Sequence, residues 1–305
     1  MKRIVVIGHA ALDHTYRIDA FPTTPTKVRA REHLVGGGGM AANAAATIGR
    51  LGGPVELWSR TGDDDRGDKI RRFLVDDGVD IDFVRSLPGA RTSSSAVIVD
   101  GHGERLVIGD RDHEMSFDAS WLPLERINGA GAVLSDLRWF EASLAGLTRA
   151  HDEGVPTVID GDFDSPHLLE RILPFTDYAI FPAGALAHLY PDERDDRARL
   201  GHVLDAGARH AGVTSGTSGY HWRNRAGQSG HQPAFPVIAV DTTGAGDAFH
   251  GAFTWALVQG HGEAECARIG AAAAALKCRE LGARPGLPTH AELEDFLATQ
   301  HAAVA

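Results

Sequence analysis

Short runs of apolar, largely β-branched residues recur along the chain, and segments with helical character separate them. Strands that are apolar on both faces are typical of a parallel sheet, because the connecting helices cover both faces. The pattern predicts an α/β fold with a doubly wound, mostly parallel sheet, and a mainly helical segment from Ala245 onward. The predicted strands are Ile4–Ile7, Val55–Trp58, Ala132–Ser135, Thr157–Asp160, Tyr178–Phe181 and Gly212–Thr214.

Two regions, residues 14–35 and 92–112, instead alternate polar and apolar residues, which predicts strands with one exposed face. We expect them to form a small separate sheet inserted into a body made of residues 1–13, 36–91 and 113–305. Beside a substrate cleft, such a sheet would serve as a lid.

A sheet of so few strands is not stable alone, so we expect it to pair with a second copy of the chain in a homodimer. The apolar residues expected to be partly buried between the subunits are Val97, Val99, Leu106 and Ile108.

Charge and cysteine content exclude several classes of protein. The 30 Lys and Arg residues against 41 Asp and Glu residues give a net charge of -11, which disfavours nucleic acid as a partner. No run of 18 apolar residues is present, so no membrane span is expected. Cys266 and Cys278 fit neither a C-x-x-C pair nor a disulfide framework, which favours a reducing, cytoplasmic location.

The most informative segment is Val240-Asp241-Thr242-Thr243-Gly244-Ala245-Gly246-Asp247, which follows an extended run and precedes a helix-forming stretch. Glycines at a helix N-terminus let the backbone approach an anion, and the unpaired amides with the helix dipole stabilise its charge. A carboxylate beside that anion can accept the proton of an attacking hydroxyl. The plain alternative is a glycine-rich turn in which Asp247 caps the helix.

The pattern Asp-Thr-Thr-Gly-Ala-Gly-Asp-x-Phe-x-Gly resembles the C-terminal signature of the PfkB/ribokinase family of kinases. Three further motifs resemble family landmarks in the expected order, so the resemblance covers about residues 3–297. They are Gly38-Gly39-Met40-Ala41-Ala42-Asn43, Gly62-Asp63-Asp64 with Gly67, and Val213-Thr214-x-Gly216-x-x-Gly219.

The resemblance implies a ribokinase-like fold and an ATP-dependent kinase that phosphorylates a sugar hydroxyl with the help of Mg²⁺. Asp247 would be the base, and the backbone amides of Gly244, Ala245, Gly246 and Asp247 would form the anion hole. The substrate hydroxyls would be bound by Asp13, Gly38, Gly39 and Asn43. The nucleotide would lie against Thr214, Gly216, Gly219, Gly244 and Gly246. Turn geometry and helix polarity are the alternative explanations for Asp13, Asn43 and the Thr214–Gly219 segment.

The metal ligands stay open in the sequence. Where family members often have Asn-x-x-Glu, this chain reads Phe181-Pro182-Ala183-Gly184-Ala185, with no carboxylate. Magnesium would then be held mainly by phosphates and water, with Asp160, Asp162 and Asp241 as candidate ligands. Asp241 and the Gly282–Gly286 loop also resemble the region that binds a monovalent cation such as K⁺ in some members.

Within the family, several stretches are most similar to bacterial sulfofructose kinases, which implies 6-deoxy-6-sulfofructose as substrate and its 1-phosphate as product. Lys27 and Arg138 would then bind the sulfonate. The chain departs from that pattern at Gly109, where an asparagine donor is expected; Arg111 and His113 are the candidate replacements. The alternatives are that the anion is a phosphate or a carboxylate, or that Lys27 and Arg138 are solvated surface charges. The similar stretches are Leu134–Trp139, Asp160–Asp162, Gln232–Phe235, Asp247–Ala252 and Ala275–Cys278.

Other acceptors within the family remain open: a plain ketohexose, ribose, 2-keto-3-deoxygluconate or a nucleoside. Outside it, a non-catalytic sugar or nucleotide sensor would not need the intact Asp247. A dinucleotide-binding oxidoreductase would need G-x-G-x-x-G after the first strand, and residues 8–13 do not supply that pattern.

Overall fold

The computed structural model describes residues 1–112, 114–162 and 165–302, and the strands of this part form two sheets. In chain order the strands are β1 (Ile4–Ile7), β2 (Ala11–Arg17), β3 (Glu32–Gly38), β4 (Val55–Gly62), β5 (Val84–Leu87), β6 (Ser94–Val99), β7 (Arg105–Asp110), β8 (Ala132–Ser135), β9 (Thr157–Asp160), β10 (Tyr178–Pro182), β11 (His210–Thr214), β12 (Tyr220–Asn224) and β13 (Ser229–Gln232).

The helices of the described residues lie between and after these strands. They are α1 (Met40–Arg50), α2 (Asp65–Asp76), α3 (Phe140–Asp152), α4 (Pro166–Ile172), α5 (Ala183–Leu189), α6 (Asp196–Asp205), α7 (Ala245–Val258), α8 (Glu263–Lys277) and α9 (His290–Ala302). None of them is long and apolar enough to cross a lipid bilayer.

The large sheet has the strand order β13-β12-β11-β10-β9-β8-β1-β4-β5. Its strands are parallel from β11 to β5, and β12 pairs antiparallel with both β11 and β13. This is the predicted doubly wound α/β fold, and all six predicted strands lie in this sheet. The sequence interpretation missed β5, β12 and β13, which form the two edges.

Apolar side chains of each central strand point alternately to the two faces of the large sheet. Ile4 and Val6 of β1 belong to one core, with residues of α1, α7 and α8. Val5 and Ile7 belong to the other, with residues of α3, α4, α5 and α6. Both faces are therefore covered, which leaves the carboxyl ends of the parallel strands as the place for a site.

The small sheet has the order β3-β2-β6-β7, in which β2 and β6 are parallel and the other pairs are antiparallel. It is the predicted small separate sheet, although its strands extend to Ala11 and Gly38, beyond the expected 14–35 boundary. Only residues 8–10 separate β1 from β2, so the two sheets meet at the carboxyl end of β1.

The outer strand β7 is exposed along its whole length. Leu106, Val107 and Ile108 are at least half exposed. Val97 and Val99 on β6 are instead buried inside the chain, in a cluster with Leu281. The expectation that these two valines lie between subunits was therefore wrong. Alternation of polar and apolar residues predicts that one face of a strand is buried, but it does not show whether that face packs against the same chain or against a second copy.

Candidate active site

The site is built around the first turn of α7. Gly244 precedes this helix with φ +78°, in the left-handed region that favours glycine. A Cβ on Gly244 would lie 2.9 Å from the carbonyl oxygen of Ala283, so the following loop packs directly against this turn. A Cβ on Gly246 would have no heavy atom within 4 Å, so Gly246 faces open space.

The predicted anion hole is therefore partly available. The amide of Ala245 donates to the Thr242 carbonyl at 3.2 Å, and the amide of Ala248 donates to Gly244 at 2.9 Å. Within the described part of the chain, the amides of Gly246 and Asp247 donate to no backbone carbonyl. These two N–H groups, with the positive end of the α7 dipole, are the donors that an anion would meet.

Asp247 lies in this turn and is the centre of a group of acids. Burial, with a further contribution from the nearby Asp160 charge, raises the pKa of its carboxyl to about 7. Asn43 opposes this shift, because its Nδ2 donates to Asp247 Oδ2 at 2.7 Å and favours the charged form. A carboxyl with this pKa exchanges its proton readily near neutral pH, which suits a general base.

His250, one turn further along α7, connects Asp160 to the helix. Its Nδ1 lies 2.7 Å from the Gly246 carbonyl oxygen and 3.5 Å from Asp160 Oδ2. Its Nε2 lies 3.3 Å from the carbonyl oxygen of Ile180. His250 thus fixes the start of α7 against the ends of β9 and β10. It stands inside the signature motif, but sequence reasoning assigned it no role.

Asn43 is itself held from the other side by Arg284. The Arg284 Nε donates to Asn43 Oδ1 at 2.9 Å, and its Nη1 pairs with Asp77 Oδ2 at 3.2 Å. Both Arg284 and Asn43 are buried. A Cβ on Gly37 would lie 2.3 Å from the guanidinium carbon. The glycine run before α1, residues 36–39, therefore leaves the space that the Arg284 side chain fills. The sequence analysis missed Arg284, although it noted its loop.

Asp13, Gly38 and Gly39 lie together, as expected for residues that share a substrate. Burial raises the pKa of Asp13 to about 6, against a hydrogen bond from Ser95 and the charge of Arg284. A Cβ on Gly38 would lie 2.2 Å from the Asp13 carboxylate, and one on Gly39 would lie 2.5 Å from the His9 carbonyl oxygen. These glycines let α1 approach the end of β1 closely.

Asp136, which follows β8, joins three segments of the site. Its carboxylate accepts from the backbone amides of His9 at 2.8 Å, Ala41 at 2.9 Å and Arg138 at 2.9 Å. The intervening Leu137 has φ +61°, an uncommon conformation for a branched side chain. A strained turn of this kind is typical of functional positions, and here it directs Arg138.

Three arginines surround His9 at the ends of neighbouring strands. Burial and the charges of Arg111, Arg138 and Arg60 lower the pKa of His9 to about 3, so the imidazole is neutral. In the sheet, β1 lies between β4 and β8, with Ile7 paired to both Trp58 and Ser135. Arg60, near the end of β4, and Arg138, just after β8, therefore lie on either side of His9.

Arg60 and Arg138 have few anionic partners. The Arg60 guanidinium stacks on the Trp139 ring, with its carbon 4.1 Å from the ring centroid, and burial lowers its pKa to about 10. The Arg138 Nη2 lies 3.7 Å from Asp162 Oδ2, while its buried Nε has no hydrogen-bond partner. Cationic groups therefore gather at this end of the site in a chain that is acidic overall.

The other residues predicted to bind the anion are less closely associated with the site. Lys27 lies in the exposed loop between β2 and β3, and the described polar contacts of the site do not include it. Gly109 on β7 pairs with Ser95, which pairs with Asp13, so Gly109 stands in the same row across the small sheet. His113 lies outside the described residues.

The three candidate metal ligands differ in their surroundings. Asp241 is buried, and its two oxygens accept from the amides of Thr243 and Gly282, each at 2.8 Å. Asp160 is buried beside His250, and only Asp162 is largely exposed. The described residues contain no cluster of three or more His, Cys, Asp or Glu that could hold a metal ion.

The predicted nucleotide-binding segment forms the connection between β11 and β12. Thr214 ends β11 and pairs with Tyr220, and Ser215 donates to the Gly219 carbonyl at 2.8 Å. Gly216 and Gly219 have φ values of +52° and +85°, which the turn itself requires. A role in nucleotide binding therefore stays a prediction at these positions.

Comparison with known proteins agrees with this geometry. The pfkB family carbohydrate kinase profile matches residues 1–290. The chain belongs to the pfkB family of carbohydrate kinases. It is 32% identical over 262 residues to the ATP-dependent ribose-1-phosphate kinase of Halopiger xanaduensis, covering 84% of this chain and 85% of that protein.

Solved structures show the same fold. A crystal structure from Agrobacterium tumefaciens superposes with a TM-score of 0.93 at 34% identity, covering 99% of both chains. The ribokinase of Arabidopsis thaliana, solved with ribose and ATP, superposes with a TM-score of 0.84 at 28% identity, covering 97% of this chain and 98% of that one. The predicted family and ribokinase-like fold are thus confirmed.

The environment of Asp247 predicts how catalysis depends on pH. A base works in its deprotonated form, so kcat/KM should rise with pH and level off above about 7. Asn43→Ala removes the hydrogen bond that lowers the Asp247 pKa, so the rise should move to higher pH. Measurement of kcat/KM from pH 5.5 to 9, in steps of about half a pH unit, tests both predictions. An Asn43→Ala profile that rises at the same pH as the wild type would contradict this arrangement.

Proposed function

We propose that this protein is an ATP-dependent kinase that transfers the γ-phosphoryl group to a hydroxyl of a small sugar, with Asp247 as the general base. The observation that carries this proposal is the position of Asp247. A carboxyl with a pKa of about 7 stands in the same helical turn as two amides without backbone acceptors. Phosphoryl transfer needs little more from a protein than these groups and correct positioning.

In the proposed reaction, Asp13, Asn43 and the glycine run orient the sugar so that one hydroxyl points at Asp247. Asp247 accepts the hydroxyl proton while the sugar oxygen forms a bond to the γ-phosphorus, and the bond from that phosphorus to the ADP oxygen breaks. The amides of Gly246 and Asp247 and the positive end of the α7 dipole stabilise the negative charge of the transferring phosphoryl group. The proton leaves later from Asp247 to solvent.

Magnesium bound with the nucleotide would neutralise phosphate charge. Mg²⁺ keeps several waters and takes few protein ligands when phosphate oxygens are present. The few candidate carboxylate ligands of this chain fit that preference: Asp162 is exposed, and Asp160 lies next to it. Asp241 fits less well, since backbone amides already occupy both of its oxygens. A cytoplasmic location, where ATP is abundant, completes the proposal.

The first test removes the base. Asp247→Asn keeps the size and the contact with Asn43 but cannot accept a proton, so kcat should fall by about 10²- to 10⁴-fold. ADP release from ATP would be measured with ribose, ribose 1-phosphate, fructose and 6-deoxy-6-sulfofructose. The exposed Asp192→Asn variant is the matched control and should keep wild-type turnover. Near-wild-type turnover of Asp247→Asn would remove Asp247 from the mechanism.

We further propose that the acceptor sugar carries an anionic group. The unpaired Nε of Arg138 and the stacked Arg60 support this, because desolvated guanidinium groups are matched by a tetrahedral anion. Two candidates follow: 6-deoxy-6-sulfofructose, from the sequence resemblance, and ribose 1-phosphate, the substrate named for the Halopiger relative. Neutral ribose and ketohexoses are the alternatives.

Arg138→Ala should lower kcat/KM for the anionic acceptor by roughly 10- to 100-fold, the loss expected for a charged hydrogen bond. Its effect on ribose or fructose should be small. The exposed Arg194→Ala variant should change neither value. Equal losses on charged and neutral sugars would show that Arg138 only supports the loop. No activity on either anionic sugar would remove this substrate class and leave the kinase proposal standing.

We also propose that the small sheet is a lid and the contact surface of a homodimer. Its outer strand presents Leu106, Val107 and Ile108 to solvent next to unpaired backbone groups, and such an edge is a template for pairing. A second copy of β7 is the occupant that suits it, since an isologous contact closes after two chains.

Light scattering of the purified protein should therefore give the mass of a dimer. Leu106→Glu with Ile108→Glu should give a monomer, because a charge on each copy would face the apolar strand of the other. Ile238→Glu, at a position 90% exposed and outside the small sheet, should leave the dimer intact. A monomeric wild-type protein at all working concentrations would contradict the proposed dimer.

A further inference from the structure

Lys277, the last residue of α8, is a buried cation that the proposed mechanism does not use. Its side chain is fully buried, and its Nζ donates to the backbone carbonyl of Asp241 at 2.8 Å and lies 3.5 Å from that of Glu280. The ion pairs of the described residues do not include it. A buried charge held by carbonyl oxygens alone carries a large desolvation cost, which indicates a role beyond packing.

Several groups around Lys277 partly offset the effect of its burial. Burial is the largest influence and leaves the pKa of Lys277 below its ordinary value, with the charge of Arg105 acting in the same direction, while the charges of Asp241 and Asp247 oppose the shift. The C-terminal end of α8 adds the negative end of a helix dipole. The ammonium therefore lies where carbonyl oxygens, a helix end and two carboxylates together attract a cation.

The two carbonyls belong to the segments that meet behind the anion hole. Beside Lys277, the amides of Val240 and Asp241 donate to the carbonyl of Cys278, and the Asp241 carboxylate accepts from Gly282. These contacts hold the segment before the signature turn against the loop after α8. The Lys277 ammonium is the only charged group of the described residues that donates to carbonyls of both segments.

The loop after α8 in turn touches both parts of the catalytic machinery. Ala283 packs against Gly244, the residue that precedes α7, and Arg284 holds Asn43, which bonds to Asp247. A shift of this loop by a few tenths of an ångström would therefore reach the anion-hole amides and the base together. Lys277 touches neither substrate nor nucleotide, so its role would be that of a positioning residue.

We propose that the Lys277 ammonium is a built-in monovalent cation that holds the anion hole in place, so that phosphoryl transfer needs no added K⁺. This inference rests on the proposed kinase function. Potassium ions and ammonium groups bind the same carbonyl oxygens at similar distances. A tethered ammonium supplies the charge at a fixed place, and it competes with any free ion for the Asp241 carbonyl.

Three proteins test this inference: the wild type, Lys277→Ala and Lys277→Met. Turnover would be measured over a series of KCl concentrations, with choline chloride keeping the ionic strength constant. The wild type should show the same kcat throughout. Lys277→Met fills the space without charge, so its kcat should fall about 10- to 100-fold and should not recover with KCl. Lys277→Ala leaves the carbonyls open, so KCl or NH₄Cl should restore much of its activity.

Thermal unfolding supplies a measurement that does not depend on activity. KCl should raise the Tm of Lys277→Ala relative to choline chloride and leave that of the wild type and Lys277→Met unchanged, since only the alanine variant has a cation site to fill. If the wild type phosphorylates none of the sugars tested, the kinase proposal fails while this comparison still decides the role of Lys277.

Three results would overturn the inference. Stimulation of the wild type by KCl would mean that a free ion, and not the ammonium, supplies the charge. Wild-type kcat in Lys277→Met would mean that the lysine contributes only the packing of its methylene groups. A Lys277→Ala variant that gains neither activity nor Tm with KCl would also contradict a cation site at this place.

Discussion

The hydrogen bond between Asn43 and Asp247 joins the two helix starts on which the rest of the site depends. Burial and the charges of Asp160 and Asp136 raise the pKa of Asp247, and the hydrogen bond from the Asn43 amide, with the charge of His250, offsets part of this shift. The same amide is oriented by Arg284. The base, the glycine run before α1 and the loop after α8 are therefore parts of one hydrogen-bonded unit, and a change in any of them alters the proton affinity of Asp247.

The fold could be predicted largely from the sequence, because the central strands are apolar on both faces and the signature turn is long and specific. The edge strands were missed since they are short and carry polar residues such as His221 and His231. The candidate site was predicted where a motif marks it, as at Asp247 and Asn43. The sequence did not predict roles for Arg284, His250 and Asp136. Their partners are distant in sequence, and no local pattern indicates such contacts.

The strand register explains how a chain with a net charge of -11 can still offer a cationic pocket. Residues at the carboxyl ends of β4, β1 and β8 lie side by side because these strands are adjacent and parallel, which brings Arg60 of β4, His9 after β1 and Arg138 after β8 to one edge. The acids Asp136 and Asp160 follow strands of the same sheet but are tied to backbone amides or to His250. Charges of the two signs are thus separated along one sheet edge.

The contact between the glycine run and Arg284 is long-range, because Gly38 and the arginine are 246 positions apart in the sequence. During synthesis, the N-terminal strands leave the ribosome long before this arginine does, and domains tend to form structure as they emerge. Until Arg284 is synthesised, the space beside the glycine run is unfilled, and Asn43 lacks the partner that orients it. The site is thus completed only after Arg284 has been synthesised, so a nascent chain that stops before Arg284 would hold a nearly complete sheet and an unfinished site.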